Sequence, residues 1–183
     1  ILAQEMASVE VLVVDDNEDS EIRSKTRRTV LGLQDPRVKY LTNERSKGGC
    51  GARNTGILKA SGELIAFLDD DDELVAGGLS AQLASIESTE GAVLCFGTAQ
   101  VVDEAFGRNF LNRPMQDELS FEDIIKGACP PTSSVVMARR DVLISAGLFD
   151  ETLPSFQDFD MWLRVSRIGR IVGHQDVVAQ FTQ

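Results

Sequence analysis

Two acidic runs stand where short apolar stretches end. Asp15-Asp16 follows Val9 to Val14 (VEVLVV), and Asp69-Asp70-Asp71-Asp72 follows Leu64 to Leu68. Four consecutive aspartates repel one another unless a cation or solvent offsets the charge. A solvated acidic turn satisfies that condition. A run that follows a buried strand without a spacer, with a second strand also ending in acids, favours another solution. That solution is a hard divalent ion, Mg²⁺ or Mn²⁺, held by one or two carboxylates together with substrate phosphates. Gly48-Gly49-Cys50-Gly51 lacks both the ending of a P-loop and the full dinucleotide fingerprint. Arg53 and Asn54 just beyond it supply a cation and an amide donor near a helix N-terminus, a suitable place for phosphate oxygens. The plain alternative for Arg53 is a surface residue. His174, the single histidine, has no acid or cysteine at metal-ligand spacing and reads as structural or surface-placed. Phe110, Phe121, Phe149, Phe156 and Phe159 read as core or groove walls rather than a stacking array for bases.

The elements that must position these groups follow from periodicity. Val9 to Val14 has the β-branched apolar character of a buried parallel strand. A helix from Asp19 to Leu33 carries Ile22, Thr26, Val30 and Leu33 on one stripe, and Asp35-Pro36 breaks it. A strand at Val38 to Leu41, a helix at Ala52 to Ala60, a strand at Leu64 to Leu68, a helix at Leu79 to Ile86 and a strand at Ala92 to Gly97 continue the alternation. Ligands of such doubly wound sheets bind beyond the carboxyl ends of the strands, which places both acidic runs at one crevice. Further on come a strand at Gln100 to Asp103, a loop from Asn109 to Asp117, a helix capped by Ser120 with Asp123, and a strand at Ser133 to Met137. Helices at Asp141 to Ala146 and Asp158 to Ile168 complete the pattern.

The chain has 183 residues, 43% of them hydrophobic, which suits one compact domain with a sizeable core. A net charge of −11 argues against nucleic acid held on a broad basic face, while a cation still permits a phosphate ligand. Cys50, Cys95 and Cys129 are odd in number and widely spaced, so reduced thiols in a cytoplasmic setting are expected. No run of 18 apolar residues occurs.

At this point the residues resemble a known family, the family 2 inverting glycosyltransferases of the GT-A fold. VVDDN (Val13 to Asn17), GARNTGI (Gly51 to Ile57), SGELIAFLDDDD (Ser61 to Asp72), SSVVMARRDVLISAGLFDE (Ser133 to Glu151) and QDFDMWLRV (Gln157 to Val165) occur in the family's order over almost the whole chain. The resemblance implies a Rossmann-like α/β fold with a mostly parallel central sheet flanked by helices. Within a single domain, residues 9–98 would form the nucleotide-binding half and residues 99–183 the acceptor and catalytic half. Asp16 matches the acid that contacts the nucleotide base, with Asp15 beside it. Asp69-Asp70-Asp71 looks like the family's DxD element, in which Asp71 ligates Mn²⁺ or Mg²⁺ while Asp69 and Asp70 lie by the ribose or sugar. Asp158 resembles the general base that takes the acceptor hydroxyl's proton, and Gln157, Asp160, Trp162 and Arg164 complete its motif on the acceptor side. Trp162 and Arg164 read equally well as core and helix-surface residues. The partners implied are a nucleotide sugar, first of all a UDP-sugar, and a saccharide or lipid-linked acceptor.

Some positions depart from the family. Gln157 replaces the usual Glu, and Glu18 stands where a DDGS turn has Ser. ILAQEM looks like the end of the helix that normally precedes the VVDD strand, so the family's opening strand and most of its first helix are expected to be missing. An uncovered edge on the Val9 to Val14 strand should then be met by self-association or by a local segment such as Ile1 to Met6. Peripheral membrane association through the missing segments is a further expectation. Two rival readings remain open: a nucleotide-sugar-binding module without turnover, and a phosphotransferase with magnesium on the aspartate run. The second explains neither QDFDMWLRV nor its distance from the acids.

Overall fold

The computed structural model describes residues 1–4 and 8–182. β1 (Val11–Asp15) and β2 (Val38–Thr42) pair in parallel and are joined by α1 (Ser20–Gly32). Asp19 starts α1 by accepting hydrogen bonds from the Glu21 and Ile22 amides at 2.7 and 3.0 Å. α2 (Gly49–Lys59) follows and begins within the glycine run itself.

The second sheet has seven strands. These are β3 (Leu64–Ala66), β4 (Asp72–Leu74), β5 (Ala92–Asp103), β6 (Arg108–Asn112), β7 (Glu118–Leu119), β8 (Val136–Arg139) and β9 (Arg170–Thr182). Their main order is β3-β8-β5-β9-β4, with β6 on β5 and β7 on β9. The expected parallel pairing holds for β1 with β2 and for β5 with β9, and the other ladders are antiparallel, so the central sheet is mixed. The strand expected at Ala92 to Gly97 and the one at Gln100 to Asp103 are a single twelve-residue strand. The loop expected at Asn109 to Asp117 begins as β6, because Arg108 to Asn112 reaches the open side of β5 and completes its ladder there. β9 breaks register with β5 between Phe96–Gly173 and Thr98–Val177. Gly97 lies at that break, and a Cβ there would come within 2.4 Å of Val178 Cγ2 and 2.7 Å of His174 Cε1.

One face of the seven-stranded sheet carries α2, α4 (Phe121–Ile125), α5 (Arg140–Ser145) and α6 (Gln157–Val165), with Ile57, Leu94, Phe96, Leu143, Phe149, Met161, Trp162 and Val165 in the core. The opposite face carries α3 (Gly78–Ser88), whose Leu79 and Ile86 pack on Cys95, Met137 and Val172. α4 has the expected capping box between Ser120 and Asp123. Ile1–Gln4 forms a turn rather than the expected helix end, and the Gln4 amide reaches the Val75 carbonyl at 2.9 Å. Among the described residues β1 pairs only with β2; Glu5 and Met6, in the segment expected to cover its edge, lie outside the described residues.

Candidate functional site

The β1 end is built from polar contacts. Asp15 is buried and accepts hydrogen bonds from Tyr40 Oη at 2.7 Å and from the Asn17 backbone and side-chain amides at 2.9 and 2.6 Å. Burial works to raise this carboxyl, but the hydrogen bonds from Tyr40 and Asn17 outweigh it and hold it below the usual carboxylate range. Asp16 accepts from Asn43 Nδ2 and from the Gly48 amide, both at 2.6 Å, so it fastens the glycine run to the strand end. α2 can approach this loop only because Gly51 lacks a side chain: a Cβ there would sit 1.8 Å from the Ser46 carbonyl oxygen.

Arg53 leaves the first turn of α2 and spans the crevice. Its Nη2 lies 2.7 Å from Asp69 Oδ1 and its Nη1 3.2 Å from Asp158 Oδ1, while the guanidinium carbon stands 5.6 Å from the Phe149 ring centroid. Burial would favour loss of its proton, but Asp158 and Asp69 overcome that and raise its pKa above the ordinary value. Asp69, Asp70 and Asp71 form the turn between β3 and β4, closed by the Asp72 amide on the Asp69 carbonyl at 3.2 Å. Asp70 and Asp71 are exposed. Burial, then the charges of Asp69, Asp71 and Asp70, push the Asp72 carboxyl upward against the hydrogen bond from Ser134. Among the described residues Arg53 is the only cation in ion-pair contact with this run, so the cluster is short of positive charge. No three His, Cys, Asp or Glu side chains among the described residues form a cage of their own. A divalent ion at this turn would therefore need ligands from elsewhere, such as substrate phosphates.

Asp158 opens α6 and faces the same crevice. Its Oδ2 accepts from Ser133 Oγ at 2.6 Å. Gln157 turns back to the Leu153 carbonyl at 3.1 Å. Phe156, immediately before, adopts left-handed backbone (φ 60°) and is 78% exposed.

One sequence assignment changes, and two positions follow alternatives the sequence left open. Asn54 is 1% exposed, donates to the Phe149 carbonyl and Glu151 Oε1 at 2.9 and 2.7 Å, and accepts from the Phe149 amide, so it is an internal clamp rather than a ligand donor. Trp162 is fully buried and packs on Phe67 and Phe149 with centroids 6.1 and 5.7 Å apart, in line with its reading as a core residue. Asp160 and Arg164 pair with each other at 2.6 Å, and Arg164 also holds the Ala146 carbonyl, so both act within the fold.

Sequence reasoning did not single out Asn43, Ser133, Ser134 or Glu151. Glu151 accepts from Arg45, from Asn54 at 2.7 Å and from the Ser46 amide at 3.1 Å. Burial opposes its ionisation, yet these donors bring its carboxyl down to about 2. Its position in GLFDE was visible, but nothing in its type showed that it tethers a loop more than a hundred positions away. His174 is half-buried beside β5, Nδ1 lies 3.4 Å from Asp176 Oδ2, and burial lowers its pKa.

The layered α/β architecture with acids at the strand ends is the GT-A fold. Over 98% of this chain it superimposes on 53% of S. aureus TarS 1-349, with a TM-score of 0.74 at 22% identity. A structure of GalNAc-T7 with UDP, GalNAc and Mn²⁺ aligns over 96% of this chain and 38% of its own, with a TM-score of 0.67 at 18% identity. Residues 1–144 match the family described as Glycosyl transferase family 2, and the chain belongs to that family. An Escherichia coli relative, UDP-Glc:alpha-D-GlcNAc-diphosphoundecaprenol beta-1,3-glucosyltransferase WfgD, is 46% identical over 84 residues, 46% of this chain and 32% of the relative. A Campylobacter jejuni relative, GalNAc(5)-diNAcBac-PP-undecaprenol beta-1,3-glucosyltransferase, is 33% identical over 67% of this chain and 40% of its own length. The matched segments thus span 32% and 40% of these two relatives. No described helix is long and apolar enough to cross a membrane.

Proposed function

We propose that this chain carries the donor-binding and catalytic face of an inverting, metal-dependent glycosyltransferase. The observation that carries the reading is the Arg53 bridge, which brings the donor-side acid Asp69 and the acceptor-side acid Asp158 onto one guanidinium. In this reading Asp16 and Asp15 shape the nucleotide end, Arg53 offsets donor phosphate charge, and Asp69 and Asp70 lie by the ribose or sugar. Asp71 holds Mn²⁺ or Mg²⁺, which when bound supplies stabilisation of the leaving nucleoside diphosphate. Asp158 takes the proton of the acceptor hydroxyl as that oxygen attacks the anomeric carbon from the opposite side, and a single displacement of this kind inverts the sugar. The exposed Phe156 offers an apolar ring to an acceptor sugar beside that base. The names of the relatives support a UDP-glucose donor and a diphosphate-lipid-linked saccharide acceptor. The free thiols of Cys50, Cys95 and Cys129 fit a cytoplasmic setting.

Calorimetry of UDP with Mn²⁺, with and without chelator, tests the donor site. Asp71→Ala should abolish the metal-dependent part of UDP affinity. Equal affinity in variant and parent would remove the metal assignment.

A further inference from the structure

The two halves of the crevice are joined by a feature that the proposed reaction has not used. Between Thr132 and β8 the chain makes one 3-10 turn, Ser133–Val135, and both of its serines are 1% exposed. Consecutive side chains of this turn reach different acids. Ser133 Oγ donates to Asp158 Oδ2 at 2.6 Å. Ser134 Oγ accepts from the Asp69 amide at 3.0 Å and donates to Asp72 Oδ2, which fixes the polarity of its hydroxyl. The turn is itself held from both sides. Gln82 of α3, fully buried, donates to the Val135 carbonyl at 2.8 Å, and the Phe67 amide reaches the Val136 carbonyl at 3.3 Å.

We infer that Ser133 and Ser134 are positioning residues that set the separation between the metal-side aspartate turn and the base. The inference rests on the reading of Asp158 as that base. Asp158 has two anchors, Arg53 on Oδ1 and Ser133 on Oδ2. Donor phosphates compete for Arg53, because a guanidinium pairs with phosphate as readily as with carboxylate. Ser133 then remains as the anchor, and it leaves Oδ1 free to receive the acceptor proton. Ser134 performs the matching task on the other wall by tying the start and end of the four-aspartate turn to one hydroxyl. Since the serines are adjacent on one rigid turn, the two walls cannot drift independently. An error of about 1 Å between reacting groups costs on the order of a hundredfold in rate.

The test uses the whole chain, with UDP-glucose, Mn²⁺ and a diphosphate-lipid-linked saccharide acceptor for turnover and UDP with Mn²⁺ for affinity. Ser133→Ala should lower turnover about 10- to 100-fold while the UDP affinity stays within about threefold. Ser134→Ala should instead weaken UDP affinity in Mn²⁺ about tenfold. Ser133→Thr and Ser133→Val have matched shapes, and only Thr keeps the hydroxyl, so Thr should exceed Val by about tenfold in turnover. Turnover of Ser133→Ala within about threefold of the parent, or equal turnover of the Thr and Val variants, overturns the inference. Asp158→Asn is the control. Retained turnover there sinks the base assignment and this inference with it, whereas an inactive Asp158→Asn beside an active Ser133→Ala sinks the inference alone.

Discussion

The two sheets are held by different forces. In the seven-stranded sheet and its helices, apolar burial dominates: Phe67, Phe149 and Trp162 form a triangle of edge and tilted contacts among fully buried aliphatic residues. In the β1–α1–β2 unit no apolar residue is buried among those described; the first buried one along the chain is Cys50. α1 buries nothing, and Ile22, Leu31 and Leu33 on it are 51%, 56% and 54% exposed. This unit is instead fastened by hydrogen bonds and charge: Glu10 to Ser61 and Gly62, Asp16 to Gly48, and Arg45 and Ser46 to Glu151. Asp158, the proposed base, stands on the wall with the packed core, where packing fixes geometry. The proposed nucleotide side, secured by polar ties, is where adjustment to a ligand would cost least.

The largest effect should come from the rigid wall. Asp158→Asn keeps size but cannot accept the proton, so UDP-glucose turnover should fall by about two to four orders of magnitude with UDP affinity nearly unchanged. If turnover persists within threefold, the base lies elsewhere. Trp162→Ala removes one corner of the aromatic triangle and should cost about 3–5 kcal/mol in urea unfolding. A loss below about 1 kcal/mol would mean that packing is not what distinguishes this wall.

Breaking the tie between the walls gives an intermediate effect. Glu151→Gln should cost about 1–2 kcal/mol at neutral pH. Because the Glu151 carboxyl is held down at about 2, against an ordinary 4.5, its contribution is complete above pH 4.5 and fades as pH falls towards 2. The variant should therefore show a flatter stability profile across that window, and identical acid profiles would discount the tether. The smallest change is expected on the polar-tied unit: Ile22→Ala and Leu31→Ala should each shift stability by less than about 0.5 kcal/mol. A loss of 2 kcal/mol from either would show that α1 is buried in solution against something else.

What the sequence determined by itself was local. Apolar runs ending in Asp15-Asp16 and Asp69 to Asp72, a glycine run before Arg53, and a capping box at Ser120 each depend on neighbours a few positions apart, so the helices and the first strands were legible, whereas β4, β7 and the thirteen-residue β9 were not. Side-chain partners across the chain were not. Asn54 and Arg53 are adjacent on α2, yet helical rotation sends one into the core against Phe149 and the other across the crevice to Asp69 and Asp158. Nothing in residue type distinguishes these fates, since both are polar and both follow the glycines. The mixed pairing of the sheet was hidden for the same reason: a buried strand has the same composition whichever way its neighbour runs. Ser133 and Asp158 lie 25 positions apart, and only the folding of β8 and α6 onto one face brings the hydroxyl to the carboxylate.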